Sequence, residues 1–163
     1  MSDRNLEISK EEEARYNELC LMALDFARKD EVSELEKMIK AGLNVNLKSS
    51  KGDTLLMLAS YNNSINTVKM LIANGAQVDE RNDRGQTPLA GAAFKGYLDV
   101  VKALVEAGAD INANNGMGAT PHTFAVMFGR SEVAKYLLAA NKKPSLLAKI
   151  SSNLLSLFSK KAS

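Results

Sequence analysis

The sequence predicts an all-α fold: a solenoid of about four helix-turn-helix units with projecting loops, capped by N- and C-terminal helices. Three observations predict it. Eight of the ten glycines stand in three columns, Gly42/Gly75/Gly108, Gly52/Gly85/Gly118 and Gly96/Gly129, with every step within a column equal to 33 residues. Pro88 and Pro121 repeat that interval, as do Thr54/Thr87/Thr120 and Asn46/Asp79/Asn112. Each of these residue types answers a distinct backbone need: left-handed geometry for Gly, a fixed φ for Pro, local hydrogen bonding for Asn and Asp. Several such markers recurring at one period are the signature of a repeat array. Third, the apolar residues within a period fall at helical spacing in two short runs.

Taken in chain order, the first element is a long helix. Ser9 and Glu12 form the Ser-x-x-Glu pattern of a capping box, and Tyr16, Leu19, Cys20, Ala23, Phe26 and Ala27 recur at helical spacing. The spacing predicts a helix from about Lys10 to Arg28, with Cys20 on its apolar side as a small buried hydrophobe. A second helix is expected from Val32 to Lys40. Glu34 and Lys37 stand there where later units have Thr67 and Met70, Val100 and Ala103, or Val133 and Tyr136. A polar outer face is what a terminal unit without a neighbour requires.

The third unit displays the period most plainly. Pro88 suits a first helical position, and Gly96 ends the run that starts at Thr87. In the following helix Leu98, Val101, Leu104 and Val105 share one face, and Gly108 is the expected C-terminal stop. The loop that follows leads to the next Thr. After the fourth unit Lys142-Lys143-Pro144 breaks the chain. Leu146, Leu147, Ile150, Leu154, Leu157 and Phe158 then form an amphipathic stripe over Ser145 to Phe158, expected to cap unit four. The organisation is therefore an N-terminal extension and degenerate capping unit over 1–46, repeats over 47–79, 80–112 and 113–143, and a basic amphipathic helix over 144–163.

Composition narrows the function. The chain has 163 residues, 45% of them apolar and 25% charged, ordinary for a folded protein. One Cys precludes an intramolecular disulfide, and one His, His122, precludes any metal site needing two imidazoles. In a column with Leu56 and Leu89, His122 reads as a packed side chain. No apolar leader and no run near the roughly 18 residues of a membrane span are present, so a cytoplasmic location is expected. The net charge of +2 argues against nucleic acid as an obligatory partner. It averages two ends: residues 1–20 carry −3, and the chain after Glu132 carries +6. The basic C-terminal stripe also suits peripheral contact with an anionic membrane. No nucleophile elbow, phosphate-binding loop or Cys-x-x-Cys pair points to an enzyme.

Gly85-Gln86-Thr87-Pro88-Leu89-Ala90, followed by Gly108-Ala109-Asp110-Ile111-Asn112, resembles the ankyrin repeat, whose period is also 33 residues. The resemblance covers about residues 21 to 143 and is strongest over 47 to 140. One departure concerns the His that usually follows Thr-Pro-Leu: Met57, Ala90 and Thr123 stand there instead. The family implies a non-enzymatic scaffold that binds a protein partner through its concave groove and loop tips.

On this chain the groove positions are Arg28, Tyr61, Phe94 and Met127, with Lys29, Asn62, Lys95 and Phe128 one residue later. The loop tips supply Lys51, Asp53, Arg84, Gln86 and Met117. Tyr61, Phe94, Met127 and Phe128 are apolar where solvent-facing positions should be polar, and the basic neighbours flank them as in a recognition surface. The chain also resembles small stand-alone bacterial ankyrin proteins, some associated with catalase and with haem supply to it. That resemblance implies an alternative carrier of haem, with Tyr61 as the iron ligand, Phe94 and Met127 over the porphyrin, and Arg28, Lys29 or Lys95 near its propionates.

Overall fold

The computed structural model describes residues 8–141. It contains α1 (Lys10–Lys29), α2 (Val32–Lys40), α3 (Leu55–Tyr61), α4 (Ile65–Ala73), α5 (Pro88–Lys95), α6 (Leu98–Glu106), α7 (Pro121–Met127) and α8 (Ser131–Asn141). Among the described residues there is no strand, only an isolated antiparallel bridge between Lys48 and Thr54. The fold is an all-α solenoid of two helical layers: α1, α3, α5 and α7 pack in succession, and α2, α4, α6 and α8 pack behind them. The expected C-terminal helix lies outside the described residues.

The core is a seam between the layers. Leu56, Leu71, Leu89, Val101, Leu104 and Leu137 are fully or almost fully buried along it. The small pairs Ala59-Ser60 and Ala92-Ala93 are also fully buried, letting α3, α5 and α7 approach closely. Val126 holds the same column in unit four yet is 58% exposed, because no later unit covers it among the described residues.

Polar side chains fix the stacking register. The Asn46 amide oxygen accepts from the Gln77 N–H at 2.9 Å, and the Asp79 carboxylate accepts from the Asp110 N–H at 3.0 Å. Asn112, next in that column, donates to the Asn141 side chain at 3.0 Å. The sequence column is thus a row of staples, each joining one unit to the next. Asp30 makes a further bridge, accepting from the Thr67 N–H at 2.7 Å and from the Asn66 amide at 2.8 Å, and so caps α4 from the preceding unit. The turn between the two helices of each unit needs a left-handed residue: Asp30 (φ 59°), Asn63 (φ 59°), Gly96 (φ 84°) and Gly129 (φ 68°). Asp and Asn tolerate this geometry through their short polar side chains, which is why glycine marks only the last two units.

α1 differs from expectation in one respect. Its bounds and its capping box are as expected, with the Glu12 N–H donating to the Ser9 hydroxyl and the Ser9 N–H donating to the Glu12 carboxylate. Only Ala23, Leu24 and Ala27 are buried, however, and every residue from Ile8 to Leu19 is exposed. Tyr16 and Leu19 are therefore not core residues, and Cys20 is only partly covered. Periodicity gives a helix an apolar face, but among the described residues none covers α1 before Cys20 enough to bury a side chain. The Cys20 thiol next to Tyr16 pushes its phenol above the ordinary value.

Candidate functional site

The inner layer is aimed by its threonines. The hydroxyls of Thr54, Thr87 and Thr120 accept from the N–H groups of Met57, Ala90 and Thr123 at 3.1, 3.3 and 3.2 Å, capping α3, α5 and α7. Pro88 and Pro121 occupy first helical positions. These caps form without the family's usual histidine. In unit four the Thr123 hydroxyl, in that histidine's column, lies 3.1 Å from the Thr120 hydroxyl.

Because the three helices start alike, their last turns line up on the concave side. The Tyr61 and Phe94 rings are nearly parallel, at 8° with centroids 6.2 Å apart. Phe94 and Phe128 meet edge to face at 4.4 Å. The row thus runs through three units, and Phe128, not Met127, completes it. Successive residues of a helix point about 100° apart, so only one of the two can meet Phe94, and Met127 is left 67% exposed. The Arg130 guanidinium donates to the Phe94 carbonyl at 3.0 Å, tying the row to the turn after α7.

Over this floor lies a cavity of about 350 Å³. Among the residues expected to bind a partner, Asp53, Tyr61, Arg84, Gln86, Phe94 and Phe128 line it. Lys95 stands beside it, its ammonium 5.1 Å from the Tyr61 ring centroid. The others lie apart from its lining. Lys29 pairs with Asp25 at 2.7 Å, which raises its ammonium above the ordinary lysine value. Asn62 donates to the Leu58 carbonyl and closes α3. Met117 is wholly exposed at a loop tip, in left-handed geometry at φ 52°. Arg28 and Lys51 are exposed outside the lining.

Sequence reasoning missed Met57, Leu58, Asn82, Thr87, Ala90, Gly91 and Phe124, which also line the cavity. Gly91 carried a signal: it is one of two glycines off the 33-residue lattice. A Cβ there would lie 3.3 Å from Tyr61 Cδ2, so a bare backbone lets the phenol ring settle against α5. Asn82 organises the polar wall, accepting from the Arg84 and Gln86 N–H groups at 3.0 Å each and donating to the Asp53 carboxylate at 2.8 Å.

The cleft is apolar on its helix side and polar on its loop side. Lys51, Arg84 and Lys95 have no carboxylate partner within ion-pair distance among the described residues. Among those residues, too, no three His, Cys, Asp or Glu side chains cluster so as to hold a metal ion, and no helix is long and apolar enough to cross a membrane.

A row of stacked inner helices, threonine caps and projecting loops is the architecture of a repeat scaffold. The profile of ankyrin repeats matches residues 22–115 in three copies, more than half of the chain, and the protein belongs to the ankyrin-repeat family. A curated relative, named as an ankyrin repeat protein of Pseudomonas aeruginosa, is 46% identical over 46 residues, which is 28% of this chain. The matched region spans 27% of that relative's length.

Proposed function

We propose that the protein is a non-enzymatic binding scaffold whose concave cleft holds a segment of a partner protein. The observation that carries this reading is the continuous Tyr61–Phe94–Phe128 row beneath a cavity of about 350 Å³. Aromatic side chains offer large contact area at little entropic cost and dominate binding energy at protein interfaces. Arg84 in the cleft wall and Lys95 beside it, without an ion-pair partner among the described residues, favour a segment in which an apolar anchor is followed by acidic residues. The anchor would sit on the Phe94 ring, and its acidic neighbours would face the loop wall.

The test compares the wild type with the Tyr61→Ala/Phe94→Ala variant, its folding verified by circular dichroism, as immobilised bait in lysate of the native host. The proposal expects proteins retained specifically by the wild type to be lost by the variant, and retention to weaken with added salt. Unchanged retention would remove the cleft from the binding surface.

A second reading, haem carriage in support of a catalase, is favoured by one observation: Tyr61 is 43% exposed, at the edge of an aromatic-walled cavity. Its phenol would be the iron ligand, Phe94 and Phe128 would cover the porphyrin, and Arg84 and Lys95 would meet its propionates. Lys29 is already paired with Asp25, and Met127 lies outside the cavity lining. Hemin titration of the wild type and Tyr61→Phe tests this reading. It expects a Soret shift in the first that is lost in the second, and equal spectra would refute it.

A further inference from the structure

A solenoid buries its core between neighbouring units, so its last unit leaves one face bare. In unit four that face is apolar. Val126 is 58% exposed where Ser60 and Ala93 are fully buried, and Leu138 is 48% exposed where Ile72 and Val105 are partly buried. His122 and Ala134 are only partly buried, although the earlier members of their columns, Leu56 and Leu89, and Val68 and Val101, are fully or almost fully buried. The four positions lie on both helices of the unit, α7 and α8. The bare surface therefore belongs to a helix pair and not to one stray side chain.

The course of the chain indicates what covers this face. Where it passes from one unit towards the next, the Gln77 and Asp110 N–H groups donate to Asn46 and Asp79 of the preceding unit. Lys143 is the next position at that 33-residue spacing, so the lattice carries the chain to the place where a fifth unit would begin. Beyond Pro144, Leu146, Leu147, Ile150, Leu154, Leu157 and Phe158 recur at helical spacing. A helix over residues 145–158 would be about 21 Å long, enough to run the length of α8 with its 11 residues. We infer that residues 145–158 fold back as a helix across α7 and α8, with this stripe against Val126 and Leu138. The aromatic cleft is the poorer seat for the same segment. Residues 142–163 carry five lysines and no acid, whereas Arg84 and Lys95 at the cleft have no ion-pair partner among the described residues and would repel them.

Amide exchange and crosslinking on the full chain test the inference. Leu154→Asp puts a charge into the stripe, and Ser152→Asp puts the same charge about 200° away on the opposite side of the same helix. Leu154→Asp should speed exchange in α7 and α8 by about tenfold, the effect of losing one buried side chain, while α3 and α5 keep their protection. Ser152→Asp should change neither. A photo-reactive residue at Val126 should capture a peptide from residues 145–158 of the same molecule, with a yield independent of protein concentration. Unchanged protection in Leu154→Asp overturns the inference. Capture between molecules also overturns it, because a second copy would then be the occupant. So does a Leu154→Asp variant that loses binding to phosphatidylserine vesicles with α7 and α8 unaffected, since the stripe would then serve a membrane surface.

Discussion

Replacing Thr67 with valine should stabilise the protein although it removes a polar group. Thr67 is fully buried at the interface between α4 and its neighbours, and its hydroxyl has no hydrogen-bond partner. A buried donor left unpaired costs about 1–3 kcal/mol. Valine has nearly the same shape and a similar helix propensity, and the Thr67 N–H keeps its bond to Asp30. The chain itself provides the precedent, since Val100 and Val133 fill the same position in the next two units and are buried to the same degree. The lower end of that range, about 1 kcal/mol, is the expected gain. With a urea dependence near 2 kcal/mol per molar, the midpoint rises by about 0.5 M. Thr67→Ser is the control: it keeps the hydroxyl, loses the methyl group and should lower the midpoint by a comparable amount. A lower midpoint for Thr67→Val would refute the reasoning, because it would show that the hydroxyl is hydrogen-bonded in solution.

Three further outcomes are expected. Gly96→Ala and Gly129→Ala both force a left-handed alanine, at about 1–2 kcal/mol; at Gly96 the new Cβ would also lie 2.7 Å from Arg130 Cδ and disturb its bond to the Phe94 carbonyl. Urea melts should therefore find Gly96→Ala the more damaging by about 1 kcal/mol, with the larger effect on partner binding. Asp30→Gly keeps the left-handed turn but removes the cap on α4, and should cost about 1 kcal/mol in the same assay. The Glu12 carboxyl is held below its ordinary value by hydrogen bonds from the Ser9 N–H and hydroxyl. Its support for α1 is therefore full above the unfolded value and is lost as pH falls through the lowered one. Amide exchange in the first turn of α1 should accelerate on acidification through that range, and Ser9→Ala should flatten the response.

The period and the helix bounds were legible in the sequence because each depends on local chemistry repeated every 33 residues, whereas the threonines were legible only as a column and their capping role came with the structure. The staple column was legible as a column, but not its role, since Asn46 reaches Gln77 only when one unit stacks on the next. Asp30 and Asn63 escaped the glycine lattice because three residue types satisfy one backbone geometry. In unit four the sequence offered both Met127, in the column of Tyr61 and Phe94, and Phe128 beside it, and ring packing, not repeat register, decides that Phe128 meets Phe94. The exposed start of α1 was hidden for a different reason: an apolar face reveals that a helix seeks a neighbour, not where that neighbour is.

Among available measurements, site-specific photo-crosslinking tests the scaffold reading most directly. A photo-reactive residue placed at Phe128 probes the cleft, and one at Glu106, exposed on α6 in the outer layer, probes the opposite face. The account predicts that a partner retained by the wild type is captured from position 128 and not from position 106. Capture from 106 alone would contradict it.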